Sequence, residues 1–261
     1  MSAHPALAPY ADFGELAATP GLAAWNARAR TAGLAHPSGA RLRFVAQETR
    51  SPALAYERRI AAAGEIPLRE GDPHDAWNAR VWLAFPRTKS ALNAIHVVAG
   101  AAEAPNARSP GRDAATLLDE SGALVACIDP EFVACWRRHA WREAFGGPAA
   151  ILARRLAVVV VGHGLLARLD RPFRGLTARA LVLPLDPGAL PADAAARRDA
   201  LDAAAAARLA GTGRGLVPGD LLPLPLAAMP EWDPTAAGDA RFDDVSVFRP
   251  VRRPRNGAAA T

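Results

Sequence analysis

The sequence predicts a single mixed α/β domain, mostly helical, with a small sheet. Three observations carry that expectation. A capping aspartate followed by proline recurs at Asp72-Pro73 and Asp129-Pro130, a pattern that starts helices. Alternating or apolar runs such as Arg41 to Gln47 and Ala178 to Leu185 are too short and too few for an all-β fold. The chain's 261 residues, 51% apolar and 22% charged, are ordinary globular composition near the upper end of one domain.

Taken in order, residues 1–39 read as a helical lead-in packed on the domain, punctuated by Pro20-Gly21. Residues 40–250 form the main domain. Its first strand is expected over Arg41 to Gln47, followed by a helix over Tyr56 to Ala63 that Gly64 ends. The next helix starts at Asp72-Pro73, with Asp75 at the third position near the free N–H groups, and runs to Phe85. Pro86 interrupts it, and a second helix runs from Arg87 to Val98. Thr116 to Asp119 and Ala123 to Cys127 bracket Glu120-Ser121-Gly122, which reads as a hairpin. Asp129-Pro130-Glu131 launches a helix to Phe145. Residues 162–169 are read as helical, Ala178 to Leu185 as a strand, and Pro191 to Ala210 as a long helix. Gly211 to Pro250, rich in proline and glycine, reads as irregular chain wrapping the core.

Charge and cysteine narrow the function classes. The pI is about 10.1. However, Arg249, Arg252, Arg253 and Arg255 near the end carry +4 of the chain's +5, which leaves the preceding residues at +1. A nearly neutral body argues against specific nucleic-acid binding, so residues 251–261 read as a disordered, arginine-rich tail. No apolar run reaches the length of a membrane span, and the apolar Leu156 to Val161 is flanked by Arg154, Arg155 and Arg168. Met1 to Tyr10 lack the pattern of a secretory signal. Cys127 and Cys135 cannot make a disulfide framework, so the expectation is a cytoplasmic protein.

One segment concentrates chemistry. His74, Asn78 and Trp82 fall at i, i+4 and i+8 on the first helix. Lys89, Asn93 and His96 fall at i, i+4 and i+7 on the second. Two polar faces meeting across Pro86 predict a polar pocket. Lys89 is the only lysine among 31 basic residues, and an ammonium can lose its proton where guanidinium cannot. Lys89 therefore marks either a functional charge or a buried ion pair. Asp75 reads first as a capping group, and Asp119 and Glu120 as turn residues. Asp113 lies on the same predicted strand face as Leu117 and Asp119. His163, between Gly162 and Gly164 at the end of an apolar run, is placed to project into a crevice. Esterase, Walker-type and dinucleotide-binding motifs are absent from the sequence.

Several of these runs resemble a known family. They include Tyr56-Glu57, Gly64-Glu65-Ile66-Pro67, and His74-Asp75 through Asn78, Trp82, Phe85-Pro86-Arg87-Thr88-Lys89, Asn93 and His96. Further on come Arg112-Asp113, Thr116, Asp119-Glu120-Ser121-Gly122, Gly162-His163, Pro223-Leu224-Pro225 and Val247-Phe248-Arg249-Pro250. The chain over roughly residues 40–250 is similar to a bacterial family catalogued only as domain of unknown function number 3025. Gly164 departs from the pattern, which leads one to expect alanine there. The resemblance implies domain limits and a choice of residues, and brings no activity with it.

The expectation is thus an enzyme or ligand-binding protein whose pocket takes a small anionic ligand. His74, Asp75, Lys89, His96, Asp113 and His163 are its candidate catalytic groups. Asn78, Arg87, Asn93 and Arg112 are its candidate ligand-binding groups. No metal-ligand spacing is evident, although a metal-assisted hydrolase using His74, Asp75, His96, Asp113 or His163 is a variant of the same reading. A different class stands beside it: a non-catalytic interaction protein that uses the C-terminal wrap and basic tail. Cofactor and oligomeric state are left open by the sequence.

Overall fold

Capping chemistry fixes where the first helices begin and end. In a computed structural model, residues 4–37, 39–47, 52–102, 108–211, 215–233 and 238–251 are described. The chain opens with a 3-10 helix at Pro5–Phe13, then α1 (Leu22–Thr31) and β1 (Arg43–Ala46). Helix α2 (Ala53–Ala63) ends at Gly64, whose φ of 66° only glycine adopts cheaply. A Cβ there would lie 2.4 Å from the Arg41 carbonyl oxygen, so glycine also lets the chain leading into β1 pass close by. Directly after it, β2 (Glu65–Leu68) pairs with β1 in parallel, a strand the sequence reading did not anticipate.

Asp72 caps α3 (Pro73–Ala84) as expected, accepting from the backbone N–H groups of His74 at 2.9 Å and Asp75 at 3.3 Å. Pro86 breaks the helix and opens α4 (Pro86–Ala102). The start of α4 is satisfied from another helix. The Asp202 carboxylate accepts from Arg87 N at 3.0 Å, Thr88 N at 2.8 Å and Thr88 Oγ1 at 2.7 Å. That clamp sets the rotation of α4 and turns Lys89, Asn93 and His96 inward.

The predicted hairpin at 116–127 is replaced by a helix running directly into a strand, α5 (Pro110–Ser121) and β3 (Gly122–Ala126). Ser109 caps α5 by accepting from Arg112 N at 3.3 Å, and Pro110 occupies the first turn. Ala114, Ala115 and Leu118 are its buried residues, a helical period that the alternating reading of Asp113, Leu117 and Asp119 obscured. The helix predicted from Pro130 to Phe145 is divided. α6 (Pro130–Arg137) stops, His139 takes a positive φ of 56°, and α7 (Trp141–Phe145) follows. α8 (Ala149–Arg155), β4 (Ala157–Val160), α9 (His163–Arg168), β5 (Thr177–Leu183) and α10 (Ala194–Ala210) come next. Within the proline-rich wrap lies one further strand, β6 (Leu222–Pro225). Three of the four tail arginines fall in 252–261, outside the described residues.

The larger sheet has the order β4-β3-β5-β6, with β3 and β5 parallel and the outer pairs antiparallel. Every residue of β3 is buried, as a central strand covered on both faces requires. Two apolar clusters form. One surrounds this sheet, and a smaller one, with Trp25, Phe44, Ile60, Ile66 and Trp82, covers β1 and β2. Helix α3 lies between them, giving Trp77, Val81 and Ala84 to the first and Ala79, Trp82 and Leu83 to the second. Its C-terminal half is therefore apolar almost all round, and only its N-terminal half, through Asn78, is available for chemistry. The lead-in is held by the buried Arg80. Its Nη2 donates to the carbonyls of Glu15 and Ala18, both at 2.7 Å, and its guanidinium stacks near Trp25 and Trp77. The whole is one mostly helical α/β domain with two small sheets. Among the described residues, no helix is long and apolar enough to cross a membrane.

Candidate functional site

Two glycines bring the end of α5 against the start of α9. Val161 N and Gly162 N both donate to the Gly122 carbonyl at 2.9 Å. A Cβ on Gly162 would lie 2.3 Å from Gly122 N and 2.5 Å from Ser121 backbone atoms, so only glycine allows this approach. The consequence is a pairing of residues distant in sequence. Asp119 and Glu120 at the end of α5 face His163 at the start of α9. The first turn of α3 brings His74 beside them.

The contacts at this junction are regular. His74 places Nε2 3.4 Å from Glu120 Oε2 and Nδ1 3.4 Å from Asp75 Oδ1. His163 places Nε2 3.6 Å from Glu120 Oε1 and Nδ1 3.8 Å from Asp119 Oδ2. The two rings meet edge to face with centroids 4.5 Å apart. Behind Asp119, Lys89 Nζ donates to the carboxylate in a buried ion pair, with the ammonium 5.4 Å over the Trp82 ring. Asp75 is gripped by Arg69, which donates from its backbone N at 2.8 Å, Nε at 2.9 Å and Nη2 at 2.7 Å.

Environment drives these groups apart in acidity. Hydrogen bonds to Asp75 and Glu120 push His74 up to about 9. Burial holds the His163 imidazole below the usual range, and burial also lowers His96, to about 4. Burial opposes ionisation of Asp119 and of Asp75. The Lys89 charge beside Asp119, and the His74 and Arg69 contacts on Asp75, outweigh it and keep both acids below the ordinary carboxylate value.

His74, Asp75, Asp119, Glu120 and His163 line a cavity of about 750 Å³. Its opposite wall is α2, where Asn78 Nδ2 donates to Tyr56 Oη at 3.1 Å. Asn93 Nδ2 donates to Glu57 Oε2 at 2.6 Å and to the Glu57 carbonyl at 2.9 Å. Arg69, Arg108 and Arg112 also line the cavity, Arg69 held by Asp75 and Arg108 by Asp113. Burial raises Glu57 to about 7 against the opposing hydrogen bond from Asn93. The folded-state value lies above the unfolded one, near 4.3, so the folded chain holds more protons between them. Stability from Glu57 is therefore full below about pH 4 and is lost as pH rises through about 7. Glu57→Gln is expected to stabilise the protein at pH 8, by at most about 3–4 kcal/mol, and to change little at pH 4. Chemical denaturation at the two pH values measures this, and equal effects at both would contradict it.

Of the residues singled out from the sequence, His74, Asp75, Asn78, His96, Arg112 and His163 line the cavity. Lys89 and Asn93 stand behind the wall and hold Asp119 and Glu57. Two lie elsewhere. Arg87 is exposed and reaches α10, with Nη1 donating to Asp199 Oδ1 at 2.8 Å. Asp113, on the first turn of α5 and not on a strand, pairs with Arg108 Nε at 2.6 Å and is absent from the lining. Lys89, Asn93 and His96 share one face of α4 that turns toward the cavity, and His74 and Asn78 share the cavity side of α3, but the third residue of that α3 face departs. Trp82, on the face assigned to His74 and Asn78, is buried in the smaller apolar cluster.

Sequence reasoning missed Glu57, Arg69 and Arg108 and gave Asp119 and Glu120 to a turn. The available signal was that Tyr56-Glu57 and Asp119-Glu120 sit in the runs that carry the family resemblance. His74, Glu120 and His163 can also hold a metal ion, since one ligand atom from each lies within 4.8 Å of the others. The second such set, Asp72, His74 and Asp75, is occupied by capping and by Arg69.

The family described as protein of unknown function (DUF3025) matches residues 42–252. No curated protein and no solved structure matches the chain.

Proposed function

The chain belongs to the DUF3025 family, and from its site we propose an enzyme that acts on a small anionic ligand held in the cavity. The observation that carries this reading is convergence. Glu57 from α2, His74 and Asp75 from α3, Asp119 and Glu120 from α5, and His163 from α9 all face one cavity. Arg69, Arg108 and Arg112 share its lining. Ionisable groups gathered around a cavity cost stability that packing does not require, which points to work on a ligand. The arginines suit a carboxylate or phosphate group, because guanidinium presents its donors as a fork. Glu57, poised near 7, is the group placed to give or take a proton on the far wall. Lys89 and Asn93 act through others, by fixing Asp119 and Glu57.

Thermal denaturation with orthophosphate or citrate as the probe tests the anion reading. A probe at a hundredfold over its Kd adds about 2.7 kcal/mol, roughly 5–10 °C for a chain of this size. Saturable stabilisation that Arg108→Ala and Arg112→Ala remove is the expected result. If neither anion, nor a wider panel of phosphorylated and carboxylated metabolites, shifts the transition, the reading fails.

A further inference from the structure

We propose that His74, Glu120 and His163 form a site for one divalent transition-metal ion of the zinc class on the cavity floor. This deepens the reading of the cavity as the working site and rests on it.

Both imidazoles turn Nε2 toward Glu120, at 3.4 and 3.6 Å, and both turn Nδ1 toward a different aspartate, at 3.4 and 3.8 Å. A metal-bound histidine gives one ring nitrogen to the ion and its other N–H to a carboxylate or carbonyl, which fixes tautomer and ring orientation. Asp75 and Asp119 stand where those outer partners belong. Each is in turn held by a cation, Arg69 for Asp75 and Lys89 for Asp119.

Charge points the same way. Arg69 and Lys89 compensate two of the three carboxylates. Among the described residues, the ion-pair partners of Glu120 are the two imidazoles themselves. His163 is 5% exposed, and its Nδ1 lacks a hydrogen-bond partner at the 3.8 Å separation from Asp119. A buried ring with an unsatisfied nitrogen is costly unless something draws the ring into register. A cation between the Nε2 atoms and Glu120 supplies that pull.

Distances fit as well. A tetrahedral ion with ligands at about 2.0–2.1 Å spaces them about 3.3 Å apart. His74 Nε2 and His163 Nε2 already lie 3.4 and 3.6 Å from the two oxygens of the Glu120 carboxylate, and one ligand atom from each residue lies within 4.8 Å of the others. Two imidazoles and one carboxylate form the ligand set of open zinc sites, with the remaining position facing the ligand. Here His74 and Glu120, with side chains 41% and 49% exposed, leave that position toward the cavity. An ion bound there would act as a Lewis acid beside the arginines and favour an anionic ligand.

The experiment uses the full chain dialysed against a chelator and titrated with Co2+, read by its visible absorption, and then with Zn2+ in competition. One ion per chain is expected. His74→Ala and Glu120→Gln should each weaken binding at least about 100-fold. Asp75→Asn, acting on the outer partner, should weaken it about 10–100-fold. Asp113→Asn, away from the lining, should leave it unchanged. Both ligand substitutions are at partly exposed side chains, and unchanged circular dichroism would show that the variants fold. No uptake of either ion, or uptake that survives both ligand substitutions, overturns the proposal. Orthophosphate stabilisation of the metal-free chain, with no metal uptake, would keep the anion cavity and discard the metal. Metal uptake without any anion effect would do the reverse.

Discussion

Lys89→Met is expected to cost about 3–5 kcal/mol at pH 7, because it strands the Asp119 carboxylate beside a buried imidazole. Lys89 is 5% exposed, donates to Asp119 and lies over Trp82. Methionine fills much of the same volume, so the loss comes from charge and not from a cavity. The pH dependence separates these causes. In the wild type, Asp119 is held below its ordinary value, so its contribution is present above about pH 4 and is lost as pH falls through the folded value. In the variant the Lys89 charge is gone and burial raises Asp119 instead. The stability deficit should then shrink as pH falls and Asp119 takes up a proton. Adding Asp119→Asn to Lys89→Met should recover most of the loss at pH 7, as neutralising both partners of a buried pair does. Urea denaturation at pH 7 and pH 4 on both variants measures all three effects. If Lys89→Met has no cost at pH 7, the ammonium does not compensate Asp119, and its place behind the wall needs another reason.

The only lysine of the chain was visible in the sequence, but its partner was not. Glu120-Ser121-Gly122 has turn composition, and that local signal hid a helix whose last turn carries Asp119 and Glu120. Helix starts were legible because capping is local: Asp72 and Asp129 each do what the sequence says. The break at Pro86 was legible for the same reason. The two parallel strands β1 and β2 were half visible, since pairing across α2 depends on Gly64 accepting a positive φ and on contacts over many residues. The candidate site follows the same division. His74, His96 and His163 stood out as residue types, whereas the joining of α3, α5 and α9 at one point is a tertiary fact. Arg87 shows the converse. It lies in the same run as Lys89, yet two positions along a helix turn the side chain to another face, here toward Asp199 on α10.

Gly162→Ala and Gly164→Ala, two residues apart, are expected to give opposite results. At Gly162 the added Cβ meets backbone: Gly122 N at 2.3 Å and Ser121 C and Cα at 2.5 Å. Backbone at the α5–β3 junction cannot step aside without moving the buried strand β3, so overpacking should cost about 3 kcal/mol, the upper end of its ordinary range. The same shift should separate His163 from Glu120. At Gly164 the nearest atom is Glu120 Oε2, at 2.3 Å, the free end of a half-exposed side chain, with the Glu120 carbonyl at 3.1 Å. The carboxylate can swing away, and alanine gains helix propensity in the first turn of α9, at most about 1 kcal/mol. Gly164→Ala should therefore keep the melting temperature or raise it, while changing the His74 ring resonances as Glu120 leaves Nε2. Calorimetry and histidine ring NMR on the two variants read stability and site geometry separately. A stable Gly162→Ala with an unchanged His163 ring would mean that the close approach of α5 and α9 does not hold the site together. An unfolded Gly164→Ala would mean that Glu120 is fixed in place more rigidly than its exposure implies.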